Sequence, residues 1–284
     1  MLAFISSFLP VPDMLGTRIR NRHKYFWQDP DAENIRNTLF NPEDPLDKWK
    51  NVKNWQRRLS NKYNSRNFAI AHDCKVPDLY WCGRNVKDIN FDQLPENYVI
   101  RPTIGHSSNL VFLMKNGYNL FDDKSYTTDE LRAILQQAVD KNGHLQFLVE
   151  EFLKNEAGEQ KIHKDYKLFC FNGQIACINV VNRFSPKTGD CTFYSEQWEL
   201  LRSVNKIYPS GPYFPPPACL PEMIASAKAL SKCYEIFVRI DFYATDKGAV
   251  FGEFTPTPGM GHGFTNFGQR LLIDYWDKYC DGKI

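Results

Sequence analysis

Alternation of apolar and polar side chains is clearest near the C-terminal end, in Val238-Arg239-Ile240-Asp241-Phe242-Tyr243 and again in Phe251-Gly252-Glu253-Phe254-Thr255. A period of two is the mark of a strand with one buried face. Asp246-Lys247-Gly248 between the two runs reads as a tight turn, so the pair is expected to form a hairpin. Further strands are expected over residues 75–82, 98–102, 110–114 and 146–153. A second hairpin, 165–171 with 174–182, is expected to turn at Asn172-Gly173. Helical spacing predicts an amphipathic helix over 47–60 through Trp49, Val52, Trp55 and Leu59, and a basic one over 61–73. It also predicts helices over 128–141, 221–233 and 267–280. The first of these three is capped by Thr127 or Thr128, and Leu131, Ile134, Leu135 and Ala138 form its apolar face. Residues 191–217, with prolines at 209, 212, 215, 216 and 217, read as loop. Runs of antiparallel hairpins mixed with helices, without strict βαβ alternation, predict an α+β fold.

The 284 residues suffice for one large domain or two to three small lobes sharing an interface. Thirty-five basic and 33 acidic residues leave a net charge of +2, which gives no reason to expect nucleic acid as a partner. None of the eight cysteines is paired at CxxC spacing, which argues against zinc, and no secretory context supports disulfides. The opening apolar run, residues 1–9, lacks a positive leader and a clear cleavage site, so it is not read as a signal peptide. No run approaches the roughly 18 apolar residues of a membrane-spanning helix. A reduced, cytoplasmic protein with no membrane insertion is the expectation.

The C-terminal hairpin carries the chemistry. It would bring Asp241 and Glu253 together with Arg239 beside them, ahead of a glycine-containing loop. Hard cations take oxygen ligands, and Mg²⁺ commonly sits on one or two carboxylates plus substrate phosphates. A Mg²⁺–phosphate site is therefore the candidate function of this segment.

Arg239-x-Asp241, Glu253-x-Thr255 and Pro258-Gly259-Met260 resemble the corresponding segment of D-alanine–D-alanine ligases. Taken in order, segments 59–63, 97–109, 165–173 and 239–259 resemble the TupA-like branch of the ATP-grasp superfamily, named for a teichuronopeptide biosynthesis protein. The resemblance implies an ATP-grasp fold in which two α+β subdomains clasp ATP. A helical extension over 1–60 would precede one subdomain over 61–150, with a phosphate flap, and another over 151–284, with the metal hairpin. It implies an ATP-dependent carboxylate–amine ligase that works through an acyl phosphate, in cell-surface polymer or specialised-metabolite biosynthesis. An ATP-grasp kinase and a nucleotide-binding protein without catalysis are the alternatives.

The resemblance also assigns roles. Asp241 and Glu253 would hold Mg²⁺, with Mn²⁺ as the alternative ion; Thr255 stands where the superfamily has a metal-binding asparagine. Arg239 would stabilise the transferring phosphoryl group. Arg101 stands in place of a phosphate-binding lysine, and Ser107 and Ser108 belong to the flap. Glu150, Glu151 and Leu153 match the adenine hinge. Asp165 would accept ribose hydroxyls, and Lys167 and Arg183 would support phosphate. Gly259, Met260 and Gly261 would face the second substrate. The implied partners are ATP, a carboxylate substrate and an amine acceptor, an amino acid or peptide. Lys62 and Arg66 read either as a solvated helix face or as a wall of the acceptor site.

Overall fold

The computed structural model describes residues 13–105, 108–280 and 283; the opening apolar run, together with His106 and Ser107 of the expected flap, lies outside the described residues. The N-terminal region holds helices α1 (Met14–Trp27), α2 (Ala32–Asn37) and α3 (Leu46–Lys50), a 3₁₀ turn over Trp55–Ser60, and α4 (Lys62–Ile70). Strands β1 (Leu79–Gly83), β2 (Asn97–Pro102), β3 (Phe112–Lys115), β4 (Tyr118–Asn119) and β5 (Lys124–Ser125) follow, then α5 (Thr128–Lys141) and β6 (Phe147–Glu151). The C-terminal half comprises β7 (Asp165–Phe171), β8 (Gln174–Arg183), β9 (Gly189–Tyr194), β10 (Leu200–Leu201), α6 (Leu220–Tyr234), β11 (Phe237–Thr245), β12 (Gly248–Thr255) and α7 (Asn266–Tyr279). The strands form two antiparallel sheets, ordered β1-β6-β2-β3-β4-β5 and β10-β9-β8-β7-β11-β12.

Two sequence expectations are corrected. The helix expected over 47–60 is two short pieces. Asn54 adopts left-handed backbone (φ 58°) between them, a conformation asparagine tolerates better than most residues. Trp49, Trp55 and Leu59 are nevertheless all buried, so the spacing identified the core residues but not the chain reversal that buries them. Arg58 secures the reversal by donating to the carbonyls of Lys48 and Trp49 at 2.8 and 2.5 Å, which otherwise end α3 without partners. Likewise, part of the 191–217 loop is strand: β9 pairs with β8 from Ile178↔Tyr194 to Arg183↔Gly189. The proline-bearing segment after it folds back, Phe214 N–H donating to the Tyr194 hydroxyl at 2.7 Å.

The second sheet is buried on both faces at one end, and its period-two alternation sorts residues between two layers. Leu168, Cys170, Val238 and Ile240 pack towards α6 with Met223, Ala227, Leu230 and Tyr234. Phe169, Phe171 and Phe237 pack on the opposite face, against Leu272 and Trp276 of α7 and Leu15 and Ile19 of α1. On the first sheet, Ile100, Met114, Phe147 and Val149 pack on Leu131, Leu135 and Val139 of α5. The capping box that starts α5 uses Thr127, as one of the two candidate caps.

Polar contacts join the sheets. Arg101 reaches across to the Gly252 carbonyl at 3.3 Å while holding Glu150 through both oxygens, at 2.5 and 3.2 Å. Lys247 bonds Glu151 at 2.6 Å, and helix α4 is tied to β12 where Phe254 N–H donates to Ser65 Oγ at 3.1 Å. At the other side α1 lies directly on the turn Pro258–Gly261. A Cβ at Gly16 would stand 2.4 Å from the Gly261 carbonyl oxygen, and one at Gly261 2.7 Å from the Gly16 Cα. Only glycine on both sides allows this approach.

Two outcomes follow from these contacts. Gly16→Ala overpacks the α1–turn contact and lowers stability by about 1–3 kcal/mol, measured by urea unfolding. Arg101→Gln leaves Glu150, 2% exposed, without its bidentate partner. It lowers stability by about 3–5 kcal/mol, the cost of stranding a buried charge, and the Glu150→Gln, Arg101→Gln double variant recovers part of that loss in the same measurement.

Candidate functional site

One face of the second sheet is apolar at one end and charged at the other. Along β11 the residues Phe237, Arg239, Asp241 and Tyr243 share a face, because side chains two apart point the same way. Register extends that face across neighbouring strands. Asp241 stands opposite Glu253 on β12 and Lys167 on β7, Arg239 opposite Thr255, Lys167 opposite Asn179 on β8, and Asp165 opposite Val181. A β-bulge after Asp241 places Gly252 as the extra residue of β12, and it is the carbonyl of this buried glycine that Arg101 contacts.

The charges form one network. Arg239 grips Asp241 with a planar two-point contact at 2.7 and 2.8 Å, and Lys167 Nζ bonds the same carboxylate at 2.6 Å. Lys167 also lies 3.3 Å from Asp165, which accepts from Arg183 Nε at 2.6 Å. Arg183 in turn donates to the Tyr208 hydroxyl at 3.1 Å. Burial by itself would raise the Asp241 carboxyl, but Arg239 and Lys167 outweigh it and hold the group below its ordinary range. Asp165 behaves alike: Lys167 and Arg183 overcome its burial. Both acids are therefore anions at neutral pH.

Glu253 is the looser member. Its side chain is 33% exposed, and its oxygens lie 3.7 Å from both Arg239 and Lys62. The Thr255 hydroxyl, 3.4 Å away, accepts from Arg239 at 2.9 Å. Asp241 and Glu253 thus present hard oxygen donors across one strand pair, a set that suits Mg²⁺. Among the described residues no group of three or more His, Cys, Asp or Glu side chains stands together as a metal cluster. An ion held here would complete its shell from Thr255, water or substrate oxygens.

The network lines a cavity of about 1090 Å³ between the two sheets. Arg101, Ser108, Glu150, Glu151, Leu153, Asp165, Lys167, Arg183, Arg239, Asp241, Glu253, Thr255, Gly259 and Met260 all reach its wall. Gly261 does not line it; it is the close-packed end of the turn against α1. The two glutamates of the expected hinge are engaged, Glu150 by Arg101 and Glu151 by Lys247 and the Asp78 N–H. The Leu153 carbonyl is bonded to His163 Nε2 at 2.8 Å, while the Leu153 N–H has no partner among the described residues. At this hinge both carboxylates are engaged, and Leu153 itself lines the cavity.

Several lining residues were not singled out from sequence. Tyr243 belongs by the same period-two count that marked Arg239 and Asp241; burial pushes its hydroxyl up. Asn179 is placed only by its register opposite Lys167. Lys62 is no solvated helix face: its side chain is 12% exposed beside Glu253, and burial lowers its pKa.

No curated protein matches the sequence. Among solved structures, the chain is similar to a D-alanine–D-alanine ligase from Bacillus anthracis complexed with ATP, at 17% identity over 79% of this chain and 67% of the ligase (TM-score 0.49). It is similar to the VanG D-Ala:D-Ser ligase from Enterococcus faecalis, at 15% identity over 78% of this chain and 63% of that one (TM-score 0.48). The ATP-grasp ligase PsnB complexed with a minimal precursor is 10% identical over 78% of this chain and 61% of PsnB (TM-score 0.44). The chain thus spans about two thirds or less of the length of these ligases. The family described as TupA-like ATPgrasp matches residues 47–274, which takes in both sheets and every charged residue of the cavity network, and the chain belongs to that family.

Proposed function

We propose that the chain is an ATP-dependent carboxylate–amine ligase whose reaction runs in the cavity between the two sheets. The γ-phosphoryl group of ATP passes to a substrate carboxylate, releasing ADP and leaving an acyl phosphate. An amine then attacks the acyl carbon, phosphate departs, and an amide forms. The observation that carries this reading is the Arg239–Asp241–Lys167 network with Glu253 opposite, facing a cavity on whose other wall Arg101 stands.

The charges have a physical logic for phosphoryl transfer, which needs positioning and neutralisation more than covalent chemistry. In this reading Arg101, Lys167 and Arg183 face the phosphates, and Ser107 and Ser108 cover them. Arg239, with its planar fork, stabilises the phosphoryl group in flight. The Leu153 N–H meets the adenine ring, and Asp165 lies towards the ribose. Asp241, Glu253 and Thr255 would hold Mg²⁺, which when bound neutralises charge on the phosphate oxygens. In the structure the Asp241 oxygens are occupied by Arg239 and Lys167, so binding of the ion would require one of these cations to turn from the carboxylate towards phosphate. Gly259 and Met260 border the acceptor. A place in cell-surface polymer or specialised-metabolite biosynthesis is the setting that the family suggests.

ADP release is followed with ATP, Mg²⁺ and a panel of carboxylates and amines, and products are weighed by mass spectrometry. Amide product together with ADP is expected. Asp241→Asn and Glu253→Gln each lower kcat by 100-fold or more, and chelation of divalent ions abolishes turnover until Mg²⁺ is restored. A phosphorylated substrate with no amide would replace the ligase by a kinase. Variants that turn over like the unaltered chain would remove this constellation from the chemistry.

A further inference from the structure

The cavity continues beyond the phosphate-facing network to a wall supplied by the N-terminal helices, and there it holds a cation with no ion pair among the described residues. Arg57, on the 3₁₀ turn before α4, is 6% exposed. Its guanidinium has no ion pair among the described residues, and its Nη2 is buried without a hydrogen-bond partner. It lies over the Phe26 ring, 5.1 Å from the centroid. Its charged neighbours make matters worse, not better. Arg22, buried at 5%, spends itself on the Phe237 carbonyl and the Tyr234 hydroxyl. Burial and then Arg22 push the Arg57 pKa down to about 10, so it remains a cation at neutral pH.

Other groups converge on the same end. His23, with its Nδ1 buried and unpartnered, lines the cavity, as does Arg36, whose Nε is also unpartnered. Arg36 is bonded to Glu33 at 2.7 Å and lies over Trp27 at 4.7 Å. Phe26 and Trp27 complete an apolar wall. Of the Arg57 guanidinium only Nη2 is both buried and unbonded, and an anion at the remaining nitrogens would give this buried charge a partner. A planar fork beside aromatic rings matches a carboxylate attached to an apolar or planar body.

We propose that Arg57, with His23 and Arg36 beside it, binds a carboxylate of the amine acceptor, so that the second substrate is an amine that also bears an anionic group. The position fits an acceptor: α1, which carries His23 and Trp27, packs directly on the Pro258–Gly261 turn. At about 1090 Å³ the cavity also exceeds the roughly 300–1,000 Å³ of a single-ligand pocket. Assignment of the anion to the acceptor rests on the ligase reading; the anion site itself does not.

The experiment separates the two. The full chain is titrated with benzoate and with its neutral counterpart benzamide, observed at the Trp27 indole N–H by NMR, the signal being assigned with Trp27→Phe. Benzoate is expected to shift the signal saturably and benzamide to leave it in place. Arg57→Gln weakens benzoate by about tenfold or more, and Arg57→Lys recovers part of the affinity. Equal responses to both compounds, no response to benzoate, or an unchanged benzoate titration in Arg57→Gln overturns the site. Should Arg57→Gln not fold by circular dichroism, the benzoate–benzamide comparison and Arg57→Lys decide. In the ADP-release assay, acceptors with a free carboxylate show a KM at least tenfold below that of their amides, a preference that Arg57→Gln removes. Saturable benzoate binding without ADP release from any substrate pair sinks the ligase reading and keeps the anion site. ADP release with no such preference sinks the acceptor assignment and keeps the ligase.

Discussion

The register of β11 against its two neighbours is the constraint on which the rest of the site depends. Side chains alternate across a sheet, so a slip of one residue would send Arg239, Asp241 and Tyr243 into the layer beneath α6 and bring Val238 and Ile240 to the cavity. The apolar partners on both faces forbid that slip. Val238 and Ile240 are fully buried with α6, and Phe237 is clamped between Phe171 and Trp276. The hydrophobic layers thus position the charges: packing sets the register, and the register brings Asp241, Glu253, Lys167 and Arg239 to one place.

A cluster so rich in charge under limited solvent is stable only because it is balanced. Asp241 has two cations, Asp165 two, and Glu150 its bidentate arginine with Arg66 at 3.9 Å. Breaking one partner strands the other, which is why these residues serve the fold as well as the proposed chemistry. The contacts of Arg101 show the same double duty, since it fixes a buried acid on the first sheet and touches the bulged strand of the second. Arg22, Arg57 and Arg58 are buried outside that network without a carboxylate among the described residues; Arg22 and Arg58 donate to backbone carbonyls, whereas Arg57 lies over Phe26 with its Nη2 unbonded.

Much of this was legible along the chain because it is local. Period two marked β7, β8, β11 and β12 and put Arg239 and Asp241 on one face. The 3.6-residue spacing marked α5, α6 and α7, and the ordered motifs pointed to the ATP-grasp fold. The errors came where non-local contacts overrode local pattern. Residues 47–60 carry a helical spacing, yet Asn54 reverses the chain so that Arg58 can cap α3 and Trp49 and Trp55 can both reach the core. Residues 191–194 were hidden in a proline-rich neighbourhood and became strand only because β8 offers them an edge. Lys62 could not be assigned, because a lysine on a helix looks alike whether it faces water or a carboxylate.

The amino-acid sequence by itself determined the elements, the alternating faces and the identity of the charged residues, because backbone geometry converts spacing into direction without reference to the rest of the molecule. Tertiary structure alone decided which of those faces meet. It set Arg101 against Glu150 and Gly252, and it committed the Glu150 and Glu151 carboxylates to Arg101 and Lys247. It also brought α1 onto the Pro258–Gly261 turn through two glycines and buried Arg57 beside Phe26 without a counter-ion among the described residues. Those outcomes depend on contacts between residues far apart in the chain. Local spacing says which way a side chain points but not what it will find there.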